Sequence, residues 1–269
     1  MQEYYKIVTF GCQMNVHDSE KLAGTLEELG YKSTDDDNKA DVIVFNTCCV
    51  REAAEQKAMG NIGAIKPIKK QKKDMIVAVC GCMAQERAKA DEIYKKFPFV
   101  NIIFGTHNAY KFKEYLLDVR NKKAKRIYDV VEGDLNLPKE VESYRTSGYN
   151  AWVNIMYGCN NFCTYCIVPY VRGREKSRPM EEIVCECKML IKNGYKTITL
   201  LGQNVNSYGN TFKNGKDNFA ELLKELDKLD GNFVIKFLTS HPKDLSEEVI
   251  KAIANSKHIS HMIHLPVQS

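Results

Sequence analysis

Short apolar runs alternate with amphipathic stretches along most of the chain. Ile7-Val8-Thr9-Phe10 and Val42-Ile43-Val44-Phe45 read as buried strands, and so do residues 75–79 and 101–104. Runs this short are too brief for buried helices and carry the β-branched bias of strands. Between the first two, Leu22, Leu26 and Leu29 recur at helical spacing, with Asp18 or Ser19 as the expected cap and Gly30 as the stop. Further helices are expected over residues 51–59 and 85–97. Strands alternating with helices predict a mostly parallel sheet covered on both faces.

The pattern lapses over residues 129–148, which are acidic and polar, include Pro138 and Gly148, and show no periodicity. A linker is expected there, between an N-terminal domain of residues 1–128 and a second domain of residues 149–269. In the second domain, strands are expected at 152–157, 196–201, 233–238 and 262–265, and helices at 180–193, 219–229 and 245–255. This is β/α alternation of the barrel kind. The fold class is α/β: an N-terminal parallel-sheet domain followed by a partial (β/α) barrel. Four barrel strands leave an open edge, so the barrel is expected to be incomplete at its C-terminus.

Composition restricts the class without deciding it. With 44% apolar and 27% charged residues, the 269-residue chain can bury a core without disulfide staples. Its net charge of +5 is compatible with an RNA partner. The basic runs Lys69-Lys70-Gln71-Lys72-Lys73 and Lys122-Lys123-Ala124-Lys125-Arg126 read as solvated faces. The start, Met1-Gln2-Glu3-Tyr4-Tyr5-Lys6, is too polar for a signal peptide, and no apolar stretch reaches membrane length. A cytoplasmic location with no membrane partner is therefore expected, and the ten cysteines are not expected to pair as disulfides.

Organised cysteines then point to metal chemistry. Cys159-Asn160-Asn161-Phe162-Cys163-Thr164-Tyr165-Cys166 places three thiols on one loop, directly after the first strand of the second domain. Three thiolates so close suit an iron–sulfur cluster. A structural zinc site would want a fourth ligand, and no Cys or His follows at zinc-finger spacing. Three ligands on a four-iron cluster leave one iron open for chemistry.

A second set is dispersed. Cys12, Cys48 and Cys82 each follow a predicted strand of the first domain. In a parallel sheet such loops share one edge, so three cysteines distant in sequence can converge on a second cluster. Gly11 and Gly81 would let the backbone pass close to it. The alternative is that these are small core residues.

The CxxxCxxC loop, with Tyr165 before its last cysteine, resembles the radical-SAM superfamily. That resemblance implies that Cys159, Cys163 and Cys166 hold a [4Fe–4S] cluster whose open iron binds S-adenosyl-L-methionine. One electron would then cleave the sulfonium to a 5′-deoxyadenosyl radical. Together with Gly11-Cys12-Gln13-Met14-Asn15, Asn46-Thr47-Cys48 and Gly81-Cys82-Met83-Ala84-Gln85, the chain looks like a radical-SAM methylthiotransferase along essentially its whole length. The segments 169–175 and 201–208 are similar to that family too. The resemblance implies a second [4Fe–4S] cluster, on Cys12, Cys48 and Cys82, handling the inserted sulfur. Cys49 and Cys80 neighbour two of these and stand as substitutes; the family motifs favour Cys48 and Cys82. Gln13-Met14-Asn15 and Thr239-Ser240-His241-Pro242 resemble the branch that makes 2-methylthio-N6-isopentenyladenosine beside the tRNA anticodon.

The implied partners are an anticodon-loop adenosine of tRNA, S-adenosylmethionine, an electron donor and a sulfur source. The clusters carry the chemistry, and no protein side chain is expected to be catalytic. Tyr165, Arg174, Gly202, Gln203, Asn204 and Ser240 are the expected cofactor contacts; residues at the carboxyl ends of barrel strands usually serve the site. Cys185 and Cys187 lie two apart on a predicted helix and so face different ways. Two rivals stay open: a sibling methylthiotransferase acting on threonylcarbamoyl-adenosine or a ribosomal protein, and an iron–sulfur electron carrier or scaffold.

Overall fold

The computed structural model describes residues 2–50, 52–131, 145, 148–212 and 217–266. Most of the predicted linker therefore lies outside the described residues. The chain divides into two compact units: Met1–Tyr144 with Cys163–Arg172, and Arg145–Phe162 with Gly173–Ser269.

The first unit is built on β1 (Tyr4–Thr9), α1 (Gln13–Glu28), β2 (Lys32–Ser33), β3 (Val42–Thr47), α2 (Glu52–Ala64), α3 (Lys66–Gln71) and β4 (Ile76–Gly81). It continues with α4 (Cys82–Gln85), α5 (Arg87–Lys96), β5 (Ile102–Phe104), a 3-10 turn (Thr106–Lys111), α6 (Phe112–Arg120) and β6 (Ile127–Asp129); the later helix α7 (Val168–Arg172) also belongs here. Six strands form one parallel sheet in the order β2-β1-β3-β4-β5-β6. Alternate side chains of the central strands supply two cores. Ile43, Phe45, Val77, Val79 and Ile103 enter one, while Val42, Val44, Ile76, Ala78, Ile102 and Phe104 enter the other. Burial on both faces is why these strands carry continuous apolar runs rather than alternating.

The second unit holds a three-stranded parallel sheet, in the order β11-β10-β7, of β7 (Asn150–Asn154), β10 (Thr197–Leu201) and β11 (Val234–Phe237). Its helices are α8 (Met180–Lys192), α9 (Phe219–Asp227) and α10 (Glu247–Ala254), and β8 (Met156–Tyr157) pairs antiparallel with β9 (Lys176–Ser177). Ile198, Leu200, Ile235 and Phe237 pack with Leu222, Leu226 and Val249 into a single core. The architecture is α/β throughout, a parallel-sheet unit and a β/α unit of barrel type.

Four expectations are corrected. Helix α1 starts five residues before Asp18, at Gln13 with Cys12 as its cap, because Gly11 turns the chain at φ +112° shortly after β1. Asp18 and Ser19 instead make tertiary bonds from inside the helix, to Arg172 and to Thr9 and Asn46. The helix expected at 85–97 is α5 with narrower bounds, Arg87–Lys96, and Glu86, extended at ψ 110°, separates it from the short α4. The strand expected at 152–157 divides at Ile155 between β7 and β8. Residues 262–265 form no strand; on its side away from β10, β11 makes an isolated bridge outside that segment, Ile235 with Ile259. Met262 and Leu265, which suggested that strand, are exposed. Helix α6 and strand β6 were not anticipated.

Candidate functional site

The first site grows from three strand ends of one parallel sheet. Cys12 follows β1, Cys48 follows β3 and Cys82 opens α4 directly after β4. Asn15, fully buried on the first turn of α1, ties these loops together. Its Nδ2 donates to the carbonyls of Phe10 (2.8 Å) and Thr47 (2.9 Å). Its Oδ1 lies 3.9 Å from both the Cys12 and the Cys82 sulfur. Cys48 Sγ accepts the Val50 N–H at 3.5 Å. A Cβ on Gly11 would stand 2.6 Å from Cys48 Cβ and 2.8 Å from its sulfur, so only glycine fits there.

The electrostatics of these thiols differ. Burial pushes the Cys48 and Cys80 thiols up. A hydrogen bond from Cys49, reinforced by the Arg172 guanidinium, holds the Cys82 thiol down against the cost of its burial. Arg172, at the end of α7, is itself buried. Its Nε donates to Cys82 Sγ (3.3 Å), its Nη2 to Asn15 Oδ1 (2.8 Å), and its Nη1 pairs with Asp18 (2.7 Å).

All ten cysteines are free thiols. Among the described residues no three His, Cys, Asp or Glu side chains stand close enough to share a single metal ion. The donors around Cys12, Cys48 and Cys82 nonetheless fit an iron–sulfur cluster: three thiols on one sheet edge, N–H donors to two of the sulfurs, a cation, and a glycine where a side chain would intrude.

Within the second unit, a further set of polar residues lies at the carboxyl ends of β7, β10 and β11. Cys159 sits just after β8 and donates its N–H to Gly173 O (3.2 Å). Cys163 and Cys166, further along the same loop and counted with the first unit, are joined by a turn, Cys166 N–H to Cys163 O at 2.9 Å. Asn160 Oδ1 accepts the Glu175 N–H, and Asn161 Nδ2 and Asn204 Nδ2 both donate to Asp244 Oδ2. Around this network several buried polar atoms lack any partner: Gln203 Oε1, Asn204 Oδ1, both amide atoms of Asn206, Glu175 Oε1 and Ser240 Oγ. Each such group costs about 1–3 kcal/mol when left unsatisfied in the folded state. They mark the place where a polar ligand would complete the bonding. Thr239, a β-branched residue at φ +69°, is strained so that its carbonyl meets the Val205 N–H at 3.1 Å.

The structure therefore brings Cys12, Cys48 and Cys82 together, and it buries Asn204 and Ser240 with unpaired polar atoms. Gly202 is buried against Met156, and Gln203 is half-buried. Arg174 is exposed, its guanidinium 4.3 Å from the centre of the Phe162 ring, and Tyr165 is 78% exposed. Cys185 is exposed and Cys187 buried, so they do face different ways. Sequence reading passed over Asn15, Asp18, Arg172, Glu175 and Asp244. Asn15 lies inside the Gly11–Asn15 motif and Arg172 inside the family-like segment 169–175, but neither carries a local sign of burial.

Comparison with known proteins agrees with this layout. Residues 153–269 match the Radical SAM superfamily, and residues 4–105 match a family described as Uncharacterized protein family UPF0004. In fold the chain is like TsrM, a radical S-adenosylmethionine methyltransferase from Kitasatospora setae, with TM-score 0.59, 14% identity, and 94% of this chain against 57% of that one. The cobalamin-dependent radical enzyme OxsB gives TM-score 0.59 at 13% identity, over 94% of this chain and 41% of that one. Fold and cysteine loops thus define a radical-SAM chain joined to a parallel α/β domain. Much nearer in sequence are two proteins named tRNA-2-methylthio-N(6)-dimethylallyladenosine synthase. That of Clostridium tetani is 55% identical over 98% of this chain, and that of Clostridium botulinum (strain Alaska E43) 53% identical over 100%. The chain belongs to the radical-SAM methylthiotransferase family. It spans 58% of the length of each of these two relatives.

Proposed function

We propose that this chain carries the two cluster-binding domains of an enzyme that attaches a methylthio group to C2 of N6-isopentenyladenosine beside the tRNA anticodon. The observation that carries the reading is the pairing of the CxxxCxxC loop with Cys12, Cys48 and Cys82 gathered at one sheet edge around Asn15. The name borne by relatives above 50% identity, tRNA-2-methylthio-N(6)-dimethylallyladenosine synthase, supports the substrate.

In this reading residues 1–128 handle sulfur, residues 149–269 generate the radical, and residues 129–148 connect them. Cys159, Cys163 and Cys166 hold one [4Fe–4S] cluster, and Cys12, Cys48 and Cys82 hold the other. When bound, the clusters and S-adenosylmethionine supply one-electron chemistry, the inserted sulfur and the methyl group. The chain's own residues bind and orient. Gln203, Asn204, Asn206 and Ser240 offer their unpaired atoms to the cofactor's amino, carboxylate and ribose groups. Asp244 holds Asn161 and Asn204 in place through its carboxylate. Tyr165, Arg174 and Gly202 complete the cofactor contacts. The adenine must be splayed from the anticodon loop, as single-stranded RNA targets commonly are. An electron donor and a sulfur source are required partners.

The test is iron and sulfide quantitation after anaerobic reconstitution, with mass spectrometry of treated tRNA. We expect about eight irons for the parent and about four for Cys12→Ala or Cys159→Ala. A parent with a single cluster overturns the reading. Full activity on tRNA lacking the isopentenyl group would assign the chain to a sibling methylthiotransferase. Failure to release 5′-deoxyadenosine under reducing conditions would leave an electron carrier or scaffold.

A further inference from the structure

We propose that Arg172 is a positioning residue of the Cys12, Cys48, Cys82 site: its guanidinium fixes Asn15 against the sulfurs and raises the reduction potential of the cluster that the site holds. The inference rests on the proposal that these three cysteines bind a cluster.

A buried guanidinium persists only where its charge is balanced and its N–H groups are used. Arg172 uses the three faces of its fork on three different groups: Asp18, Asn15 and the Cys82 sulfur. One carboxylate neutralises one cation, yet the fork also aims Nε at sulfur. The arrangement is satisfied in full when that sulfur is a thiolate. Asn15 is the second half of the device. Its Nδ2 is committed to the Phe10 and Thr47 carbonyls, so its Oδ1 has one orientation, facing Cys12 and Cys82. Arg172 Nη2 is the strong donor that this oxygen accepts. Without it, two thiolates would face an acceptor oxygen with no donor between them.

Hydrogen bonds to cluster sulfurs and net local charge set the potential of such centres. A cation beside the thiolates favours the reduced, more negative state and so raises the potential. The direction can be tested from both sides, because Asp18 competes for the same cation. Arg172→Met removes the charge and the fork. Asp18→Asn leaves the charge and removes its competitor.

The measurement is an EPR-monitored redox titration of reconstituted chain carrying Cys159→Ala, Cys163→Ala and Cys166→Ala, so that only the first site is loaded. Against this background, Arg172→Met is expected to lower the midpoint potential and to speed iron loss to a chelator several-fold. Arg172→Lys, which keeps the charge without the fork, is expected to recover most of the potential but not the slow iron loss. Asp18→Asn is expected to move the potential up. An unchanged potential in Arg172→Met, or shifts of the same sign in Arg172→Met and Asp18→Asn, overturns the inference. A background protein that binds no iron overturns the cluster reading itself, and the inference falls with it. Should Arg172→Met not fold, Asp18→Asn alone decides the sign.

Discussion

At Gly11 the backbone runs at φ +112° and a methyl group would press on Cys48. Gly11→Ala therefore faces both left-handed strain and a clash, and should cost about 1–3 kcal/mol in denaturant unfolding. Iron analysis should show that it loses the first site's iron and keeps that of the CxxxCxxC loop; normal loading of both would mean that the space is not limiting. Glu175 makes a different kind of prediction. Burial raises its pKa, while the Ser207 hydroxyl pulls the other way at 2.8 Å. A carboxyl raised on folding is more protonated in the native state, so its favourable contribution is complete below the unfolded-state pKa. It disappears as pH rises through the folded value. Glu175→Gln should flatten the pH dependence of the thermal midpoint between mildly acid and neutral pH, and be the more stable protein at neutral pH. A parallel shift at every pH would contradict this.

Two helices of the second unit open on side-chain caps. Asn218 Oδ1 accepts the Glu221 N–H at 3.0 Å to open α9, and Ser246 Oγ accepts the Val249 N–H at 3.3 Å to open α10. Asn218→Ala and Ser246→Ala should each cost about 1 kcal/mol by chemical denaturation, with iron content unaltered. Elements like these were legible because the signal is local: a cap, an apolar stripe, a stop. Strands β3 and β4 were legible for the same reason, each carrying a run of four buried apolar residues, Val42–Phe45 and Ile76–Val79. The start of α1 was not, because Cys12 caps it with backbone alone and Gly11 supplies the turn. Short helices such as α4 and α7 have too few residues for a period to show. Arg172 was illegible for a reason of distance: its partner Asn15 is 157 residues away, and a lone arginine in a five-residue helix looks solvent-facing. The six cysteines stood out because spacing and strand ends are local. What surrounds and tunes them is tertiary.

For the whole chain, a ligand that binds only the native state adds stability in proportion to its affinity. Anaerobic reconstitution should therefore raise the thermal midpoint of the purified chain, and iron chelation should reverse the gain. The Cys12→Ala, Cys48→Ala, Cys82→Ala protein should keep only part of that increase. A midpoint indifferent to iron would argue that neither set of thiols grips metal in the folded state.

The path of the backbone has its own consequence. It leaves the first unit after Tyr144, re-enters it for Cys163–Arg172, and leaves again at Gly173. Three covalent crossings mean that no single proteolytic nick yields two intact halves. A piece expressed from residue 145 onward would strand Cys163, Cys166 and Arg172 without the framework that they pack on. Dissection of this protein calls for point variants rather than scissors.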